Sequence, residues 1–132
     1  MSWSRAQIVV CSIGVLHALF MAGELYPWES PLIMAVVLKK WPVPLDLSPN
    51  DSHFVSMVVH NAGIYNGIVA AGLFVAASLG RKGLPVQIAL LAGGVVAGLF
   101  GAATLTPATI LQAVLGAIAL AWLVYDSRQH PV

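Results

Sequence analysis

The side chains able to do chemistry in this 132-residue chain are few, and they stand in apolar surroundings. His17 and Glu24 lie seven residues apart in one run that is otherwise uncharged. That is close to two helical turns, so both share one helix face, about 10 Å apart along the axis. A second stretch holds His53, His60, Asn61, Tyr65 and Asn66. His53 and His60 are again seven apart, and Asn61 and Tyr65, four apart, share a different face. Asn66 follows His60 by six residues, which turns it about 120° round the helix, so the two address different neighbours.

Such groups are expensive inside a membrane and mark functional sites there, although Asn, Tyr and His also join helices to one another. Helix joining is the reading for Asn61 and Tyr65. Glu24, near the end of its run, can also reach head-group water. His60, at the mid-depth of its span beside Gly63 and Gly67, reads equally well as a ligand-holding residue and as a helix-joining one. Zinc catalysis needs about three clustered ligands, and the four histidines include no HxxxH or HxxE pair. Haem asks less: one axial histidine, apolar walls and bare backbone. No GxSxG, phosphate-binding loop or dinucleotide fingerprint is present.

The elements that must position these groups follow from composition. Hydrophobic residues make up 59% and charged residues 8%, with a mean hydropathy of +0.89. Soluble domains carry about 25% charged residues, so water is a poor solvent for this fold and a bilayer a natural one. A net charge of +1 without a basic stripe argues against a nucleic-acid partner. Cys11 is the single cysteine, so no intrachain disulfide forms.

Gaps between charges predict an all-α, integral membrane four-helix bundle filling one domain, residues 1–132. The spans are 6–26, 53–78, 85–105 and 107–124, with a polar tail at 125–132. A cleaved signal peptide competes for the first span, but no small-residue cleavage motif follows it. Pro85 suits a first helical turn, and Thr106 with Pro107 reads as N-cap and first helical residue. In the long connection 27–52, Ser30-Pro31 opens a short surface helix that ends before Pro42, and segment 46–51 caps the second span. Trp3, Trp28, Trp41 and Trp122 fall at the predicted boundaries, as interfacial anchors do, and Gln112 is expected to point inward. Arg5, Arg81, Lys82 and Arg128 share one side against Lys39 and Lys40 on the other, which puts both termini in the cytoplasm. Gly63/Gly67 and Gly94/Gly98 are small-xxx-small pairs that let helices of one bundle approach closely.

Most of the chain resembles a family of small four-helix bacterial membrane proteins of unknown function. The residues that carry this are Leu16-His17, Glu24, Trp28, the run Asn61-Ala62-Gly63-Ile64-Tyr65-Asn66-Gly67, Gly98-Leu99-Phe100-Gly101-Ala102, Thr104 and Gln112. The resemblance implies a four-span bundle in the bacterial inner membrane. The stretch His60 to Gly67, with Ser78-Leu79-Gly80 and Leu99-Phe100-Gly101, is also similar to the styrene oxide isomerase family. That likeness implies a homo-oligomer, a trimer, holding haem b between subunits as a Lewis acid for small hydrophobic epoxides. It maps the axial histidine onto His60 and a substrate-pocket asparagine onto Asn66, with Gly63 and Gly67 beside the cofactor and Tyr65 a catalytic candidate. The family's acid on the third span has no counterpart; Gly98 stands near that place, so Tyr65, His17 or Glu24 would have to substitute. The expected function is therefore haem binding with epoxide isomerisation. The competing expectation is a cofactor-free binding protein or proton-coupled transporter, with His17, Glu24 and His60 as a polar path.

Overall fold

The computed structural model describes residues 4–26, 49–104 and 107–129. It is an all-α bundle of four long helices: α1 Arg5–Leu25, α2 Pro49–Ser78, α3 Leu84–Thr104 and α4 Ile110–Gln129. Short 3-10 turns at Gly80–Gly83 and Pro107–Thr109 precede α3 and α4. Each of the four helices is long and apolar enough to cross a membrane. The predicted surface helix, the Thr106 N-cap and Trp3, Trp28 and Trp41 lie outside the described residues.

α1 starts where Ser4 can cap it. The Ser4 hydroxyl accepts from Gln7 N at 3.2 Å, and Gln7 Oε1 accepts from Ser4 N at 2.8 Å, a reciprocal capping box. The Gln7 amide then donates to the Ala77 carbonyl at 2.9 Å and ties α1 to the end of α2. Between α2 and α3 the chain reverses at Gly80, whose φ of +58° is the left-handed region that glycine enters without a Cβ clash. Buried Gln87 spans that turn, donating to the carbonyls of Ala76 at 2.8 Å and Gly80 at 3.2 Å.

α1 packs chiefly on α2, and α3 on α4. Val10, Leu73 and Leu91 are fully buried, joined by Ala77, Ala119 and Leu123 in one core. Leu19, Val96, Phe100 and Ile118 are exposed on the outside of the bundle. Lipid tails solvate such side chains as well as a protein core does, so close backbone approach must supply helix association. The glycines provide it within the chain. A Cβ on Gly98 would lie 2.6 Å from Ala113 N on α4, and one on Gly63 3.1 Å from Glu24 Cβ on α1.

Two expectations at helix ends need correction. α2 starts at Pro49, so the last residues of the expected 46–51 cap are already helical. Proline at a first turn lacks only an N–H that has no intrahelical partner there. α4 runs to Gln129, so most of the expected tail is helix.

Candidate functional site

His17 is the focus of the bundle interior, 2% exposed although it is ionisable. It sits midway along α1 and is met by α2 and α3, with α4 tied to the same layer. Its Nδ1 is 2.7 Å from Asn66 Oδ1 on α2. Its Nε2 faces α3, where a Cβ on Gly94 would lie 3.3 Å away. The carbonyl of Gly94 in turn accepts from Gln112 Nε2 of α4 at 3.3 Å. Phe20, one turn along α1, sets its ring edge-on to the imidazole, with centroids 6.2 Å apart and planes at 89°. Glycine at 94 gives the imidazole room, since an added Cβ would crowd it by a few tenths of an ångström.

Glu24 completes the array. Asn66 Nδ2 donates to Glu24 Oε2 at 2.8 Å, so one half-buried amide joins His17 and Glu24 of α1. Glutamate as acceptor assigns the amide: its nitrogen faces Glu24 and its oxygen faces His17. An amide oxygen only accepts, so His17 Nδ1 carries a proton and donates it. In the neutral ring Nε2 then holds the lone pair, directed at Gly94. The arrangement therefore gives a basic nitrogen at mid-bundle, an amide that holds its ring, and a carboxylate near the end of α1. Gly63 and Gly67 allow this close fit: a Cβ at either would press on Glu24 and Leu25, or on the Met21 sulfur.

The other sequence-predicted residues lie elsewhere. Gly63 faces the last turn of α1, so His60, one turn earlier on α2, stands beyond the end of α1 and not at mid-depth. The expectation of mid-depth was read along one helix alone, whereas α2 projects past the last turn of α1. His60 is half-buried, with no hydrogen-bond partner among the described residues. Asn61 and Tyr65 are exposed on the outer face of α2, Tyr65 to 61%, and His53 is exposed further up. Among the described residues no three His, Cys, Asp or Glu side chains cluster as a metal site would require.

Gln112 points inward as expected. Gln7 and Gln87 carry structural bonds that sequence reasoning did not anticipate. The available signal was a lone amide in each apolar run, close to a turn whose carbonyls would be left without helical partners.

No curated protein and no solved structure matches the chain. Residues 11–124 match the family described as "Protein of unknown function (DUF1304)". His17, Glu24, Asn66, Gly94 and Gln112 all fall inside that match, as do large parts of all four helices. A match of this extent covers the bundle and its polar layer together, and the chain belongs to that family.

Proposed function

We propose that this protein is a proton-coupled membrane binding or transport protein, with His17, Asn66 and Glu24 as its solute site. The observation that carries this reading is the unbroken line from Glu24 Oε2 through the Asn66 amide to His17 Nδ1. Ionisable groups that face a bundle interior and pair with each other are the usual parts of proton and substrate pathways. An amide does not readily pass a proton on, so Asn66 is a bridge and Glu24 and His17 are separate proton carriers. A small polar solute with one donor and one acceptor would replace the two Asn66 bonds and bring the carriers into contact through itself. The bacterial inner membrane, with both termini cytoplasmic, is the setting that the excess of Arg5, Arg81, Lys82 and Arg128 at one end supports.

Reconstitution into vesicles with a trapped pH-sensitive dye tests the reading. Solute-dependent proton movement should fall by at least about tenfold in Glu24→Gln and His17→Ala, the scale of losing a positioned proton carrier. Unchanged flux in both variants would defeat it.

The imidazole of His60, without a hydrogen-bond partner among the described residues, supports a second reading, haem b held by that residue and enclosed by further copies of the chain. His60 suits an axial ligand, and the likeness of residues 60–67 to the isomerase family points the same way. The cradle does not fit within one chain, because α1 covers Gly63 and Gly67 and Asn66 is engaged inside the bundle. No step in an epoxide isomerisation is therefore derived. Protein purified from haem-supplied cells should show a Soret band that His60→Ala removes if this reading holds, and no band if it does not.

A further inference from the structure

At the end of the bundle where α1 begins and α4 finishes, two adjoining crevices of about 340 and 420 Å³ open between the helices. Asp126 lines both; Arg81 lines the first, and Arg5, Trp122 and Tyr125 line the second. The neutral polar side chains of the first crevice are already engaged, while Gln129 and Tyr125, with its hydroxyl, also line the second. Ser4 and Gln7 close the capping box, Gln7 and Gln87 donate to backbone carbonyls, and Ser127 Oγ donates to Val124 O at 2.8 Å. The charges are not: Arg5, Arg81 and Asp126 have no ion-pair or hydrogen-bond partner for their side chains among the described residues.

A purely basic groove would take any anionic head group. A carboxylate in the same groove repels anions at its own position and favours a cation there. We propose that the second crevice binds the head group of a phospholipid with a primary ammonium, its phosphate on Arg5 and its ammonium on Asp126. A guanidinium forks onto phosphate oxygens, and an ammonium has three donors for a carboxylate. A trimethylated ammonium has none, so a choline head group satisfies Asp126 less well. In such a lipid the phosphate stands between the ammonium and the glycerol esters, and Trp122 and Tyr125 line the same crevice. Trp122 and Tyr125 are 41% and 59% exposed, with centroids 6.3 Å apart, the kind of pair found at the ester depth of a bilayer. The site is independent of the His17 array.

The test is lipid retention by the full chain in detergent, after incubation with equal amounts of ethanolamine, choline and glycerol phospholipids of matched acyl chains. Bound lipid is counted by mass spectrometry. The ethanolamine lipid should be retained over both others by about tenfold, the worth of one charge-assisted contact. Arg5→Gln should remove that retention and Arg81→Gln should leave it unchanged. Asp126→Asn should bring the glycerol lipid up to the ethanolamine one. Helical content by circular dichroism identifies any variant that fails to fold, and Arg5→Lys, which keeps the charge without the fork, should then give intermediate retention. Equal retention of glycerol and ethanolamine lipids by the unaltered chain overturns the proposal, as does retention indifferent to both Arg5→Gln and Asp126→Asn. Binding of soluble phosphoethanolamine without retention of the lipid overturns it in favour of a free solute.

Discussion

Asn66 Oδ1 lies 2.7 Å from His17 Nδ1, and this bond joins the two helices that pack most extensively in the bundle. It links a fully buried ring to a side chain that also binds a carboxylate, so changes at Asn66 should be felt in stability and in proton handling alike.

Asn66→Ala leaves the buried Nδ1–H of His17 without an acceptor. The bundle should lose about 1–3 kcal/mol, the usual penalty for an orphaned buried donor. Detergent-denaturant titration of the variant against the unaltered chain measures this. His17→Ala/Asn66→Ala should be less destabilised than the two single losses added together, since the bond is lost only once.

Glu24→Gln keeps an oxygen that can accept from Asn66 Nδ2 but removes the charge. Stability should change by less than about 1 kcal/mol, as for exchanging one hydrogen-bond acceptor for another, while solute-dependent proton flux is lost. Denaturant titration and vesicle flux on one preparation separate the two effects.

Gly98 and Gly93 are five residues apart on α3 and should respond in opposite ways. A Cβ at Gly98 would press into the backbone of Ala113, whereas nothing lies within 4 Å of one at Gly93. Gly98→Ala should destabilise by about 1–3 kcal/mol through overpacking. Gly93→Ala should be neutral or stabilising by up to about 1 kcal/mol, from helix propensity. Thermal unfolding in detergent distinguishes them.

Gln87→Leu fills similar volume but abandons the carbonyls of Ala76 and Gly80. Loss of about 1–3 kcal/mol and faster amide exchange at residues 76–84 are expected, because the turn loses its internal clasp. Hydrogen exchange by mass spectrometry reads both ends of that segment.

The four spans were legible because charges are scarce: the charge-free gaps 6–23 and 52–80 hold one span each, and 83–125 holds two, divided at Thr106-Pro107. Helix ends were less so. Pro49 begins α2 inside a segment that composition alone describes as a polar cap, and Tyr125 to Gln129 continue α4 although their side chains are mostly polar. Within the site, the common face of His17 and Glu24 follows from a spacing of seven residues on one helix. That Asn66 joins them does not, because helical periodicity gives the direction of a side chain and not the neighbour it meets. The depth of His60 was misjudged for the same reason: it depends on where α1 ends beside α2, a relation between helices. The glycines were visible as packing residues, but only the fold assigns Gly63 and Gly67 to α1, Gly98 to α4 and Gly94 to the imidazole.

The central claim is that Asn66, oriented by Glu24, holds His17 with its proton on Nδ1 and its basic nitrogen turned to α3. Nitrogen NMR of protein labelled at histidine tests it most directly, with His17→Ala assigning the signal. The neutral ring should show a protonated Nδ1 and an unprotonated Nε2, and Asn66→Ala should abolish that preference. A neutral His17 protonated on Nε2, or one indifferent to loss of Asn66, would contradict the account.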